Sequence, residues 1–408
     1  MVETLEFIKN AMLESEEKVI SYSRPQKRDL YGIIKLKPNL KVIYGLRGGG
    51  KTTLLFQRYL DYEKGKRVYF SGDELVLLKI SIYEIFKNLK YAMDLGKDSA
   101  VFIDEITKVP NWAEEIKIAY DSNPNLQIYI SGSSTIDLVQ SKSALARRAS
   151  YHHLLPMTFR EYVKLTRNIE LEKFDLFSGD VYTQIIRYDI YLKQKISNPM
   201  ELFHEYMSKS HPFLLEANQD MIFDLVEKII YEDIAKLNSF DSSILEKFER
   251  LILVLAMSEK TTYENLATDL QVSKAVIGQM LRALIQSGLI KQVLPYGSGR
   301  VVGRKSWRYL FVVPAIRELY MKKGGAEASK ISGYIKEDVF ASHLDEIFYL
   351  DTGPDFMYKN IHFEVGGKNK TFEQLEGEKK GFIVYDGFEV IKKDNLIKFP
   401  FYIFLAHL

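Results

Sequence analysis

The sequence predicts an α/β protein whose first part is a parallel, doubly wound sheet, and three observations lead to that prediction. A strand-forming run at 42–44 leads into a glycine-rich loop and then into a helix with apolar residues at 54–56. Apolar strands then alternate with helical segments over about 30–155, as in parallel sheets covered by helices. An apolar strand within this region, at 100–105, ends in two acids.

Composition narrows the range of functions. A chain of 408 residues is long enough for several domains, and 46% hydrophobic with 27% charged residues is typical of a globular protein. The chain has no cysteine, which excludes disulfides, thiolate metal sites and cysteine nucleophiles. The formal net charge of +2 means that any electrostatic attraction to a partner must come from local clusters.

The first 22 residues mix acids and lysines in a helical pattern, which differs from a signal peptide. No apolar run approaches the ~18 residues that a membrane-spanning helix needs. We therefore expect a cytoplasmic protein with no membrane partner, whose first helix packs against the sheet.

The stretch Lys41–Thr53 reads KVIYGLRGGGKTT and matches the phosphate-binding pattern G-x-x-x-x-G-K-[ST]. A phosphate-binding loop needs consecutive backbone N–H groups that point inward, and glycine adopts the required conformations at little cost. The alternative is a glycine-rich turn without a ligand, but a strand before and a helix after favour nucleotide binding, with Lys51 on the phosphates and Thr52 on Mg²⁺. The predicted nucleotide-binding residues are Gly45, Gly48, Gly49, Gly50, Lys51, Thr52 and Thr53.

Two further strands end in polar residues. Asp104 and Glu105 follow the apolar run 100–103; the first acid suits the Mg²⁺ shell and the second suits activation of the attacking water. The strand 126–130 leads into a serine-rich turn that begins at Ser131. Ligands of open α/β sheets bind at this carboxyl end of the strands.

After residue 155 the pattern changes, and we divide the chain into 1–155, 156–257, 258–320 and 321–408. The second segment is helical. The third has a short helix at 263–270, a second helix that Ser273 caps, and two strands around a turn at 295–299, which is the layout of a winged helix. The fourth mixes helices and strands, with strands expected near 361–365, 382–385 and 399–405.

The winged-helix region is strongly basic. No acid lies between Asp269 and Glu318, and such a one-signed surface is typical of contact with DNA phosphates. The alternative is a winged helix used for protein packing, with its basic residues paired to acids elsewhere. The basic residues are Lys274, Arg282, Lys291, Arg300, Arg304, Lys305, Arg308 and Arg317, of which we assign Lys274, Arg282, Arg300, Arg304 and Lys305 to DNA binding.

Four longer motifs resemble those of a known family of proteins. GLRGGGKTTLL, VFIDEITKVPNW, IYISGSSTIDL and the block 145–148 followed by LLPMTFREY are similar to AAA+ ATPases of archaea and some bacteria, in which a winged helix and a degraded restriction-nuclease-like domain follow the ATPase. The resemblance implies ATP hydrolysis with Mg²⁺, in which Asp104 supports the metal and Glu105 activates water. It implies a polar sensor at Ser131 or Ser133. It also implies a homo-oligomer in which Arg148, or its neighbour Arg147, serves as an arginine finger.

The last segment resembles PD-(D/E)xK nucleases at Glu337, Asp355 and Glu364. Such nucleases place a lysine two residues after the second strand carboxylate, but that position is Gly366 and the nearest candidate is Lys368. We therefore expect a remnant that does not cut DNA. Two alternatives to a DNA-acting ATPase stay open: an ATP-dependent regulatory or defence switch that recognises a protein partner, and an ATPase-controlled nuclease.

Overall fold

The structure is a computed structural model, and it describes residues 2–35, 37–133, 143–235, 240–297 and 306–408. The chain forms two compact units, Met1–Leu155 and Pro156–Leu408. Among the described helices, none combines the length and the apolar character that crossing a membrane requires.

The first unit is built on a parallel sheet, as the sequence predicts. Its strand order is β2-β3-β4-β1-β5, so the strand before the glycine-rich loop lies between two parallel neighbours, β4 and β5. The strands are β1 (Leu40–Tyr44), β2 (Arg67–Ser71), β3 (Ala100–Asp104), β4 (Gln127–Gly132) and β5 (Ala149–His153).

Helices cover both faces of this sheet. The apolar side chains of β1 and β3 alternate between two clusters: Val42 and Ile103 belong to one, and Ile43 and Phe102 belong to the other. This alternation is expected of strands that are buried on both faces. The helices are α1 (Val2–Tyr22), α2 (Asp29–Ile33), α3 (Lys51–Tyr59), α4 (Gly72–Leu78), α5 (Ile82–Asn88) and α6 (Trp112–Ser122), with 3₁₀ turns at Leu89–Tyr91 and Ile106–Lys108.

The second unit begins with helices and ends in a mixed sheet. Its helices are α7 (Phe159–Arg167), α8 (Val181–Lys195), α9 (Pro199–Lys209), α10 (Gln219–Lys228), α11 (Ser242–Leu245), α12 (Lys247–Met257), α13 (Tyr263–Leu270), α14 (Lys274–Gln286), α15 (Pro314–Lys323), α16 (Ala328–Ala341) and α17 (Phe401–His407). A π-helical turn at Ile229–Ile234 continues α10, and 3₁₀ turns lie at Pro212–Leu215 and Phe372–Leu375.

The strands of the second unit form one sheet in the order β12-β13-β11-β10-β9-β8-β6-β7. Strands β6 and β7 form an antiparallel pair after helices α13 and α14, and β6 also runs parallel to β8. The hairpin after the helix–turn–helix therefore continues into the sheet of the last segment. The strands are β6 (Ile290–Pro295), β7 (Arg308–Phe311), β8 (Phe348–Tyr349), β9 (Phe356–Tyr358), β10 (Ile361–Gly366), β11 (Gly381–Tyr385), β12 (Ile391–Lys393) and β13 (Leu396–Pro400).

The predicted strand at 399–405 is wrong. Strand β13 ends at Pro400, and helix α17 occupies Phe401–His407. A short run that is apolar on every side fits a buried strand and a buried helix equally well, and residues 401–406 are buried all round. Pro400 lacks an N–H group, so it suits the start of a helix better than the middle of a sheet.

Candidate active site

The loop between β1 and α3 needs glycine at both of its ends. At Gly45 the backbone φ is 155°, and a Cβ atom there would clash with the carbonyl oxygen of Leu154. Gly50 has a φ of 91° and precedes the first residue of α3, a conformation that costs other residues free energy. The Lys51 amine donates hydrogen bonds to the carbonyl oxygens of Gly45 at 3.0 Å and Leu46 at 3.2 Å. The loop thus curves around the end of the lysine that we predict to contact phosphate.

Arg28 holds the outer side of this loop, which the sequence does not predict. Its guanidinium group donates to the carbonyl oxygen of Gly49 at 3.2 Å and to that of Leu155 at 2.8 Å. In a trans peptide the carbonyl and the following N–H point in opposite directions. Arg28 therefore fixes the direction of the Gly50 N–H, which points away from the guanidinium group.

Asp104 lies at the end of β3, is 4% exposed, and accepts hydrogen bonds from several hydroxyl groups. Its Oδ2 accepts from the Thr52 hydroxyl at 2.6 Å and from the Tyr69 hydroxyl at 3.0 Å. Its Oδ1 accepts from the Ser131 hydroxyl. Carboxylate and hydroxyl oxygens are ligands that Mg²⁺ prefers, so Thr52 and Asp104 fit a magnesium site. Tyr69 is a member of this group that sequence reasoning missed.

Glu105 occupies a strained backbone position with a φ of 50°. A Cβ atom at Gly72 would clash with the Glu105 carbonyl oxygen, so the turn also requires that glycine. The Ser133 hydroxyl donates to the Glu105 carboxylate at 3.2 Å, and the Glu105 N–H donates to the Ser131 hydroxyl at 3.3 Å. Backbone strain of this kind persists where surrounding contacts hold a functional residue in place.

Arg148 pairs with an acid of its own chain. Its Nε lies 2.8 Å from Asp121 Oδ1, and one terminal nitrogen lies 3.0 Å from Asp121 Oδ2. This is the two-pronged geometry that arginine makes with carboxylates, and the hydrogen bond from Arg148 lowers the pKa of Asp121. Both side chains are partly exposed, at 30% and 48%.

The sheet separates Arg148 from the loop of its own chain. Strands β1 and β5 are parallel and in register from Leu40 with Ala149 to Tyr44 with His153. Arg148 directly precedes β5, whereas the glycine-rich loop directly follows β1. Five residues of strand span about 16 Å, which is longer than an arginine side chain. Arg148 therefore lies at the amino-terminal end of the parallel strands, whereas Lys51 lies beyond their carboxyl end.

Three basic residues of 258–320 are held by other groups of the second unit, with Lys291 partly buried and Arg308 and Arg317 buried. The Lys291 amine donates to the carbonyl oxygens of Ala341 at 3.1 Å and Leu344. Arg308 is paired with Glu337 and is 3% exposed, and Arg317 lies 2.8 Å from Asp338 with both side chains buried. These three residues, which we did not assign to DNA binding, fit the alternative in which basic residues pair with groups elsewhere in the chain: their carbonyl and carboxylate partners lie on or just after α16.

The residues that we assigned to DNA binding have different positions. Lys274, the first residue of α14, is exposed and lies 2.5 Å from Glu264. Arg282, also on α14, is exposed. Arg300, Arg304 and Lys305 lie outside the described residues, in the stretch of sequence between β6 and β7.

The acids of the last segment meet a lysine that the sequence did not single out. Lys370, and not Lys368, contacts Glu364 on β10, and its amine also lies 3.9 Å from Asp355. A Cβ atom at Gly366 would clash with the Lys370 side chain. The Lys370 side chain thus passes over Gly366, the position at which such nucleases carry a lysine.

Burial raises the pKa of two of these acids. Burial, followed by the nearby Asp355 charge, raises the pKa of Glu364 to about 7. Burial raises the pKa of Glu337 to about 8, against the opposing effect of Arg308. Over the described ranges, no group of three or more His, Cys, Asp or Glu side chains is placed to hold a metal ion.

The strand order, the loop around Lys51 and the two acids at the end of β3 define an ATPase of the P-loop class with an AAA+ fold. A family model described as an AAA domain matches residues 37–163. The chain is 30% identical to the uncharacterized protein MJ1637 of Methanocaldococcus jannaschii, over 99% of this chain and 94% of that protein. The chain therefore belongs to the same family as MJ1637 and contains an AAA domain.

Other similarities are more distant. The uncharacterized protein MJ1544 of the same organism is 27% identical over 84% of this chain and 76% of its own length. A solved structure, the Walker-type ATPase PABY2304 of Pyrococcus abyssi, is 14% identical and superposes with a TM-score of 0.41 over 76% of this chain and 94% of that one.

Proposed function

We propose that this protein hydrolyses ATP with Mg²⁺ and couples hydrolysis to a conformational change. The observation that carries the proposal is the placement of Asp104, which accepts hydrogen bonds from Thr52 and Ser131 directly beside Glu105. The site thus combines a magnesium ligand, a second carboxylate and the Lys51 amine at the carboxyl end of one sheet.

Each residue has a separate task in this proposal. The backbone of 45–50 and the Lys51 amine bind the phosphates, and Thr52 and Asp104 hold Mg²⁺, which supplies positive charge to the phosphate oxygens when it is bound. Glu105 orients the attacking water and accepts its proton. Ser133 holds the Glu105 carboxylate at 3.2 Å, and Ser131 connects Asp104 to the Glu105 backbone.

Two variants separate binding from hydrolysis. Lys51→Ala removes the charge aimed at the phosphates and should abolish ATP binding. Glu105→Gln keeps the metal ligands and should bind ATP at close to the wild-type affinity while hydrolysis stops, because the amide cannot accept the proton of the water. Equilibrium binding of a fluorescent ATP analogue and release of inorganic phosphate measure the two steps. Wild-type turnover by Glu105→Gln would remove Glu105 from the mechanism.

We further propose that the working form is a homo-oligomer in which Arg148 acts on the site of a neighbouring subunit. Arg148 and Lys51 of one chain lie at opposite ends of the parallel strands. The Arg148 side chain therefore cannot reach a nucleotide bound by its own chain. Its bidentate contact with Asp121 is partly exposed at 30% and 48%. Exposed ion pairs are weak, so this contact can present the guanidinium group and still release it to a phosphate.

DNA binding through the second unit is a second proposal, and a regulatory switch acting on a protein partner is its alternative. The observations that favour DNA are the helix–turn–helix of α13 and α14, the hairpin β6–β7 that follows, and the exposed Arg282. Because Arg308 and Arg317 are buried and the Lys291 amine is held by backbone carbonyls, the contact relies on Arg282 together with Arg300, Arg304 and Lys305. Turnover measured with and without duplex DNA separates the two readings.

For the acids around Glu364 we propose a structural role without DNA cleavage. Each buried acid has a cation of the same unit as its partner: Glu337 has Arg308, Asp338 has Arg317 and Glu364 has Lys370. Lys370 lies against Glu364 and 3.9 Å from Asp355, the two carboxylates that would share a divalent metal in such a nuclease. Metal-dependent cutting of plasmid DNA that disappears in Glu364→Ala would overturn this proposal and favour an ATPase-controlled nuclease.

A further inference from the structure

We infer that Tyr69 is a positioning residue for Asp104 and thereby sets the magnesium affinity of the site; this inference rests on the proposed ATPase function. The Tyr69 hydroxyl donates to Asp104 Oδ2 at 3.0 Å, and the Thr52 hydroxyl donates to the same oxygen at 2.6 Å. Tyr69 therefore contacts the same carboxylate oxygen as the predicted metal ligand Thr52.

The carboxylate is held from both of its oxygens. Oδ2 accepts from Thr52 and Tyr69, and Oδ1 accepts from the Ser131 hydroxyl and from the Glu105 N–H at 3.2 Å. A carboxylate has about four acceptor positions, so these donors together fix the plane of the group. Loss of one donor lets the carboxylate turn and weakens its hold on a hydrated metal ion.

The Tyr69 hydroxyl is buried beside the Asp104 carboxylate. Its side chain is 6% exposed, and burial, followed by the charge of Asp104, raises the pKa of Tyr69 well above its ordinary value. The phenol O–H donates to Asp104 and adds no charge of its own. A neutral hydrogen-bonded partner of a metal-binding carboxylate orients it without cancelling its charge.

Packing holds the Tyr69 ring in one orientation. The ring meets Phe56 edge to face, with centroids 5.1 Å apart. The Tyr69 N–H donates to the Ser15 hydroxyl at 3.2 Å, which attaches strand β2 to helix α1. Helix α1 lies outside the matched residues 37–163, so a helix outside the recognised AAA domain supports the carboxylate that binds the metal.

The test compares Tyr69→Phe with a matched control, Tyr62→Phe. Tyr62 packs against the same core cluster as Tyr69, and its hydroxyl lies 3.0 Å from that of Tyr129 rather than near Asp104. The readout is binding of a fluorescent ATP analogue to the full chain as Mg²⁺ is titrated, and again in EDTA. For Tyr69→Phe we expect the Mg²⁺ concentration at half-maximal binding to rise roughly tenfold or more, with unchanged affinity in EDTA. The control should match the wild type in both.

Three outcomes decide the matter. A magnesium dependence unchanged in Tyr69→Phe overturns the inference. Equal losses of affinity with Mg²⁺ and in EDTA also overturn it, because they show a general structural role. A wild-type chain that binds no nucleotide under either condition overturns the proposed function instead. If Tyr69→Phe is not folded by circular dichroism, 4-methylphenylalanine at position 69 keeps the volume without the donor, and the same titration applies.

Discussion

Replacement of Lys370 by methionine should destabilise the protein far more than the same change at Lys368. Lys370 is the cation that contacts Glu364, and the two side chains are 29% and 3% exposed. Methionine keeps most of the lysine volume and removes the charge. The buried Glu364 then faces Asp355 without a compensating charge.

The size of the effect follows from these exposures. Removal of one partner from a fully buried ion pair costs about 3–5 kcal/mol, and loss of a hydrogen bond to a charged group costs about 1.5–3 kcal/mol. Because the lysine is partly solvated, we expect about 2–3 kcal/mol at pH 8 for Lys370→Met. For a unit of this size that corresponds to a fall in melting temperature of about 4–12 °C. Lys368→Met should change the melting temperature by less than about 2 °C.

The pH dependence gives the sharper test. The folded-state pKa of Glu364 is about 7, above its ordinary value, so stability from its protonation is present below about pH 4.5 and is lost as pH rises through 7. Removal of Lys370 raises this pKa further, so the loss continues to higher pH and becomes larger. The difference in melting temperature between wild type and Lys370→Met should therefore be larger at pH 8 than at pH 5.5. Equal differences at both values, or an equal effect of Lys368→Met, would refute this reasoning.

Three further predictions concern the site and the proposed partners. Arg148→Ala should lower ATP turnover by roughly 10³ or more with nearly unchanged ATP affinity. Mixing this variant with Glu105→Gln should restore part of the activity. If no activity is restored and size exclusion gives a monomeric mass, Arg148 does not act on a neighbouring subunit. Arg28→Gln should weaken ATP binding about tenfold, because a charge-assisted hydrogen bond to the loop is lost, as equilibrium titration will show. The slope of log K for duplex DNA against log[salt] should be near −4, as about four phosphate contacts give, and should become shallower by about one unit in Arg282→Ala.

The sequence predicts the first unit well because its signals are local. The loop 45–50, the strands near it and the acids after β3 are encoded by neighbouring residues. Strand β5 (Ala149–His153) is not predicted, since an edge strand that pairs only with β1 needs no continuous apolar run. The run 399–405 is misassigned for the opposite reason: it is apolar throughout and carries no periodicity.

The sequence predicts only those residues of the candidate site that belong to a recognisable motif. Lys51, Thr52 and Asp104 stand in recognisable patterns, whereas Arg28 and Tyr69 act through contacts with distant parts of the chain, and Lys370 reaches Glu364 across a turn that no motif marks. A tyrosine in a buried strand is an ordinary core residue by its sequence. Only the position of its hydroxyl, 3.0 Å from Asp104, separates it from the other tyrosines of the core.

The basic residues of 258–320 show why charge must be judged in three dimensions. The segment contains no acid between Asp269 and Glu318, so its own sequence indicates an exposed positive surface. Its buried arginines nevertheless find carboxylates, because Glu337 and Asp338 on α16 lie against Arg308 and Arg317. Strands β6 and β7 lie in the same sheet as the strands of the last segment. A buried charge requires an oppositely charged partner, and here the partners come from that segment. Part of the acid-free stretch therefore supplies the cations of buried ion pairs. Any contact with DNA depends on the few basic residues that lie outside those pairs.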